Sequence, residues 1–307
     1  MKVVFAGTPD FAVAPLKAIV ESGYEVVGVI TQKDKPVGRK GIITPPPVKV
    51  FALEAGLPVY QFDKIRDNVE TLKSLGADVM ITCAYGQILT QEVLDTFKDG
   101  VWNVHASLLP LYRGASPVQS AILAGDEFTG VTVMKTELSL DTGDILCVKR
   151  CATSELTAGE LLEKLSLLGA DAIIEGLKII EQGDPQLLLQ DDSVATYCKK
   201  IEKKDAKINF EKSAREVCNL IRAMNPSPVA FCNAQGVQLN VYKACVFDGE
   251  VDGTVGEVAF ADRQNGIVVK CGVGAIKILQ AQLTGGKVLL ANDLINGRKI
   301  LRGNVFD

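Results

Sequence analysis

Histidine is almost missing from this chain: His105 is the only one in 307 residues. That scarcity argues against a metal centre built on imidazoles. The eight cysteines, at positions 83, 147, 151, 198, 218, 232, 245 and 271, include no CxxC pair, and six lie in apolar or strand-like surroundings. Buried free thiols in a reducing compartment fit that scatter better than disulfides or zinc. No apolar run approaches the length that spans a bilayer. No basic-then-apolar leader precedes the strand-like residues after Met1, which argues against secretion. The expectation is a soluble cytoplasmic protein with no metal.

Charge is close to balance, at −4 overall, and does not by itself point to nucleic acid. Its distribution is uneven. Residues 1–202 hold 19 basic and 27 acidic side chains, whereas residues 203–307 hold 14 and 10. A net-positive final third suits a polyanionic partner, and it equally suits an ordinary solvated surface.

Short apolar runs alternate with helical periodicity over the first 180 residues. Strands are expected at 2–6, 25–31, 57–60, 78–84, 100–106, 130–137 and 144–151. Helices are expected up to 23 and at 48–55, 66–75, 88–97, 116–124 and 158–182. Such alternation predicts an α/β fold with a doubly wound, mostly parallel, Rossmann-like sheet whose ligands meet the carboxyl ends of the strands. Residues 183–202 lose the periodicity and read as a linker. After a helix at 213–224, short strands at 229–232, 237–242, 256–259, 266–270 and 275–283 predict a small C-terminal OB-like β-barrel domain. The division is therefore 1–182, 183–202 and 203–307.

Several stretches carry chemistry. In an extended strand, residues two apart share a face, so Asn103 and His105 project together while Trp102 and Val104 turn away. An amide donor beside an imidazole suits acyl chemistry, one holding a developing oxyanion and the other moving a proton. Asp141, 36 residues later, falls about one helix and one strand downstream, where it can orient the imidazole. A lone histidine in isolation is as readily a hydrogen-bonded core residue. Gly7-Thr8-Pro9-Asp10 keeps only the first glycine of a dinucleotide fingerprint, and Pro9 removes a donor, so a dinucleotide is disfavoured. The long stretch 32–47 carries Lys33, Lys35, Arg39 and Lys40 in an otherwise acidic region. It reads either as a solvated loop or as a lid over a phosphate-bearing substrate.

Asn103-Val104-His105-Ala106-Ser107-Leu108-Leu109-Pro110, then Tyr112-Arg113-Gly114, then Asp141-Thr142-Gly143-Asp144, resembles the folate-dependent formyltransferases. The resemblance runs over almost the whole chain and is most specific in the first 150 residues. It implies formyl transfer from 10-formyltetrahydrofolate, with Asn103, His105 and Asp141 as the catalytic set. It implies a folate pocket at Gln87 and Leu89, where the main chain reads the pterin ring, and at the turn Ser107, Leu108, Leu109 and Pro110. The opening Phe5-Ala6-Gly7-Thr8-Pro9-Asp10-Phe11 is similar to the branch of the family whose acceptor is the α-amino group of methionyl initiator tRNA. On that branch Arg39 matches a tRNA-contacting arginine, and residues 203–307 form the tRNA-binding domain of a monomer that needs no membrane. Lys40-Gly41-Ile42-Ile43 departs from the usual basic run, Leu111 stands where a basic residue is common, and Ser139 replaces a common glycine. Related enzymes acting on glycinamide ribonucleotide or an amino sugar nucleotide, a folate hydrolase or dehydrogenase module, and an RNA-binding protein using only the barrel are the alternatives.

Overall fold

A computed structural model of the chain describes residues 1–38 and 41–307. Its contacts fall into two compact units. The first comprises Met1–Pro117, Phe128–Ala152 and Leu162–Cys198, and the second comprises Val118–Glu127, Thr153–Leu161 and Lys199–Asp307. The sequence suggests a single crossing, but the chain crosses between units several times. Hydrogen bonds link the segments of the second unit: Thr153 N–H donates to the Glu127 carbonyl at 3.0 Å and joins the two early ones, and Gly159 N–H donates to the Asn225 carbonyl at 3.0 Å and joins them to the late one.

The first unit is built on β1 (Lys2–Gly7), β2 (Glu25–Ile30), β3 (Val59–Tyr60), β4 (Val79–Cys83), β5 (Val101–His105), β6 (Phe128–Lys135) and β7 (Ile145–Ala152). They form one sheet in the order β7-β6-β5-β4-β1-β2-β3. Strands β1 to β5 pair in parallel, whereas β6 runs antiparallel to β5 and β7 antiparallel to β6. Val3 to Ala6 and Val79 to Ile81 are wholly buried, as strands covered on both faces require. The register sets Gly7 beside Cys83 and Thr82 beside Asn103, so the carboxyl ends of β1, β4 and β5 lie together.

The helix Ala158–Glu181 covers β5 to β7 in part because two of its three glycines leave room for them. A β-carbon on Gly169 would stand 3.1 Å from Val104 Cγ1, and one on Gly176 would stand 3.1 Å from Leu146 Cδ2. Leu165, Ile173 and Leu177 of this helix are fully buried. The helix expected at 88–97 shortens to Gln91–Leu94. Ala84 at φ +48° and Gly86 at φ +80° hold the approach to it out of the helical region. Residues 183–198, expected as a linker, lie against the first unit: Tyr197–Cys198 pairs in parallel with Arg113–Gly114, and Leu188 bridges to Ile145.

In the second unit Ser213 and Glu216 cap the helix Ala214–Ala223 reciprocally. Strands β8 (Ala230–Ala234), β9 (Val237–Phe247), β10 (Val258–Asp262), β11 (Gly266–Lys270), β12 (Ala275–Leu283) and β13 (Leu289–Leu290) follow. They make an antiparallel sheet in the order β8-β9-β12-β11-β10, with β13 on β12. The turn spacing predicts a small OB-like β-barrel here; the strands pair as this small antiparallel sheet. The cysteines are free, and Cys83, Cys218, Cys232 and Cys271 are buried. Among the described residues no helix is long and apolar enough to cross a membrane.

Leu165 and Leu167 share one helix, yet Leu165 is wholly buried and Leu167 is 67% exposed. Leu165→Ala should destabilise by about 2–5 kcal/mol, and Leu167→Ala by no more than about 0.5 kcal/mol. Urea unfolding of the two variants measures the difference, and equal losses would mean that the buried face has been misassigned.

Candidate active site

Alternation along β5 settles which side chains face the site. Trp102 and Val104 are buried at 3% and 2% exposure, and Trp102 Nε1 donates to the Asp99 carbonyl at 2.9 Å. Asn103 and His105 point the other way. Thr82 Oγ1, level with Asn103 on β4, donates to Asn103 Oδ1 at 2.9 Å. That bond occupies the acceptor end of the amide and leaves its NH₂ end as the donor to the site. His105 is nearly buried, with Nε2 3.0 Å from the Tyr112 carbonyl and Nδ1 3.7 Å from Asp141 Oδ2. A carbonyl oxygen only accepts, so Nε2 carries the proton of that bond. Nδ1 is therefore the ring atom that faces the carboxylate.

The segment after β5 is pinned tightly. Ser107 Oγ donates to the Leu111 carbonyl at 2.6 Å. Thr132 Oγ1 donates to the Ser107 carbonyl at 2.7 Å and accepts from Leu109 N–H at 3.1 Å. The chain then presents the Tyr112 carbonyl to His105, and Gly114 N–H to Asp141 Oδ2 at 2.8 Å. Gly114 has φ +120°, and a β-carbon there would lie 2.2 Å from the Cys198 carbonyl oxygen. No other residue fits. Tyr112 at φ +60° and Asp141 at φ +53° are also left-handed, a strained arrangement that surrounding contacts must hold.

The residues expected to meet folate have mixed placements. Gln87 Oε1 accepts from Ile65 N–H at 2.8 Å and Gln87 Nε2 donates to the Phe62 carbonyl at 3.2 Å. The side chain thus braces 62–65. Leu89 packs with Tyr85 in the core beside β4. Ser107 is buried, Leu109 packs on Met134 and Ile145, and Leu108 and Pro110 are half-buried. Arg39 lies outside the described residues.

Two features escape sequence reasoning. Arg113 is 1% exposed yet carries a charge. Gln190, Asp192 and Tyr197 all accept hydrogen bonds from it, at 2.7 to 3.0 Å. Burial works against its charge, but the bonds to Asp192 and Tyr197 outweigh that and raise its pKa. The second feature is a polar chain from Lys49 and Asp34 through Gln61 to the Gln32 backbone, whose side chain donates to the Tyr85 and Gly86 carbonyls. Hydrogen bonds from Lys49 and Gln61 hold the Asp34 carboxyl below the usual carboxylate range. Sequence carries no signal for the first feature, because the burial of Arg113 is a tertiary outcome and its partners lie 77 to 84 residues away.

Cys83 ends β4 beside Gly7, but burial pushes its thiol pKa far up, so it supplies no nucleophile. Among the described residues no group of three or more His, Cys, Asp or Glu side chains is placed to hold a metal ion. What the site offers is an amide donor, an imidazole and a carboxylate on one wall.

A family model described as formyl transferase matches residues 1–177, and one described as formyl transferase, C-terminal domain, matches residues 200–299. The chain belongs to the formyl transferase family. It is 44% identical to a methionyl-tRNA formyltransferase of Coxiella burnetii over 308 aligned positions, covering 99% of this chain and 98% of the relative. Among solved structures, an N-formyltransferase from Helicobacter canadensis in complex with folinic acid and dTDP-3-aminofucose aligns at TM-score 0.70 and 20% identity. That alignment covers 91% of this chain and 98% of the other. A variant of HypX from Aquifex aeolicus aligns at TM-score 0.68 and 17% identity over 96% of this chain, which spans only 48% of HypX. These last two are likenesses of fold.

Because His105 is the only histidine, its imidazole gives an unambiguous nitrogen spectrum. In the neutral form the proton should reside on Nε2, held by the Tyr112 carbonyl. Long-range ¹H–¹⁵N correlation of the native protein measures this, and a dominant Nδ1–H tautomer would contradict the geometry.

Proposed function

We propose that the chain transfers a formyl group from 10-formyltetrahydrofolate to the α-amino group of methionyl initiator tRNA, acting as a cytoplasmic monomer. The observation that carries this reading is the 44% identity, over 99% of the chain, to a relative named methionyl-tRNA formyltransferase. The Helicobacter neighbour's folinic acid supports a folate donor by analogy of fold.

Asn103, His105 and Asp141 are the proposed catalytic set. The amine must attack in its neutral form, which costs little for an α-amino group of pKa about 8. As it attacks the formyl carbon, negative charge gathers on the formyl oxygen. Asn103 NH₂ donates to that oxygen from an orientation already fixed by Thr82, so no reorganisation is needed as charge develops. His105, with Nε2 committed to Tyr112, takes the proton of the attacking amine through Nδ1 on the Asp141 side while Asp141 steadies the cationic ring. The proton then passes to N10 of tetrahydrofolate as the formyl carbon–N10 bond breaks and the oxyanion collapses to the formamide carbonyl. No covalent enzyme intermediate is required.

The backbone of Gln87 and Leu89 is assigned to the pterin ring. Fit is supported by hydrogen bonding: among the described residues the N–H and C=O groups of Gln87 and Leu89 have no backbone partner. Ser107 to Pro110 supply the neighbouring wall. Arg39 and the net-positive residues 203–307 are assigned to tRNA, where phosphate contacts dominate affinity.

His105→Asn, Asn103→Ala and Asp141→Asn should each lower kcat by about 10²–10³ while the protein stays folded, since each removes stabilisation present only in the transition state. Steady-state formylation of charged initiator tRNA, with an amino sugar nucleotide as the rival acceptor, measures both the site and the substrate. Normal turnover by any of the three would remove that residue from the set, and preference for the sugar would overturn the acceptor.

Arg298 and Lys299 are both exposed. Reversing both to Glu should raise KM for tRNA more than it lowers kcat, and Arg39→Ala should harm tRNA turnover while folate affinity is kept. tRNA binding by the unaltered protein should also weaken steeply with salt, because phosphate contacts release counterions. A flat salt response would instead leave the second unit a structural buttress.

A further inference from the structure

Gln190 bonds both to the Asp141 loop and to Arg113 in the segment after β5. It is half-buried and lies in the aperiodic stretch following the long helix. Two backbone bonds between Leu188 and Ile145, at 2.8 and 2.9 Å, fasten that stretch at the start of β7. Gln190 Nε2 donates to the Asp141 carbonyl at 2.9 Å and to the Gly143 carbonyl at 2.7 Å. Gln190 Oε1 accepts from Arg113 Nε at 3.0 Å and from Arg113 Nη2 at 2.9 Å. Both donors and both lone pairs of the amide are therefore engaged, and its orientation is fully determined.

Arg113, so held, sits between the two backbone groups that hold the proposed catalytic pair. Its predecessor Tyr112 offers the carbonyl to His105, and its successor Gly114 offers N–H to Asp141. On the other side Gln190 fixes the backbone of Asp141 itself, an aspartate at φ +53° that would otherwise relax out of the left-handed region. The 3.7 Å separation of His105 Nδ1 and Asp141 Oδ2 is thus set from both sides through one amide.

We infer that Gln190 is a positioning residue for the reaction, acting through Asp141. The inference rests on the proposed catalytic role of Asp141. Losing the amide lets the 141–143 loop drift, and a displacement of about 1 Å in a catalytic group costs as much as about 100-fold in rate.

A double-mutant cycle with charged initiator tRNA tests this. Gln190→Ala should lower kcat by about 10- to 100-fold, with KM for the folate donor changed by less than about twofold. In the Asp141→Asn background the same substitution should change kcat by less than about threefold, because residues that act as a unit are not additive. Gln190→Glu keeps the acceptor for Arg113 and loses both donors to the loop. It should match Gln190→Ala in kcat while its thermal midpoint stays near that of the unaltered protein. A crippled Asp141→Asn combined with an equal loss from Gln190→Ala in both backgrounds would overturn the inference alone. So would full turnover by Gln190→Glu. Full turnover by Asp141→Asn would overturn the catalytic reading itself, and the inference with it.

Discussion

Two backbone groups one residue apart on either side of Arg113 hold the histidine and the aspartate of the proposed site. The Tyr112 carbonyl fixes one ring nitrogen, and Gly114 N–H fixes one carboxylate oxygen. Backbone dipoles suit this task because they are oriented by the fold and do not reorganise when charge develops nearby. Gly114 is the condition for it, since a side chain would strike the Cys198 carbonyl oxygen. The strand-like contact of 113–114 with 197–198 and the burial of Arg113 both follow from that close approach.

The sheet supplies the other half of the arrangement. Five parallel strands bring Gly7, Thr82 and Asn103 to one end, and the two antiparallel strands that follow carry the Asp141 loop between them. Thr82 reaches Asn103 because neighbouring parallel strands are in register. Thr132 on β6 braces the turn 107–109. The proposed chemistry therefore stands on strands whose side chains are fixed by packing, with loops adding only the groups that the strands cannot place.

Much of this was legible in local pattern. Apolar runs such as Val3 to Ala6 are what strands buried on both faces look like, and period-two alternation put Asn103 and His105 on one face. The side chain of Gln87 braces residues 62–65, which sequence does not show, and its main chain is what the proposal assigns to the ring. The stretch 183–202 lacked periodicity and so read as a linker, yet its residues up to Cys198 are fastened by scattered side chains rather than by a repeating face.

The sequence by itself determined the alternating α/β pattern, the change to short strands near residue 230, the pairing of Asn103 with His105, and the family resemblance of the motifs. Each of these depends on residues within a few positions of one another, or on short words of fixed order. Only the tertiary structure decided which nitrogen of His105 faces Asp141, why residue 114 is glycine, and what neutralises Arg113. The last two rest on contacts and hydrogen bonds between distant residues, Gly114 against Cys198 and Arg113 with Gln190, 77 positions away. Such bonds leave no periodic trace, because a single side chain meets a single partner and the intervening chain is free to be anything that folds.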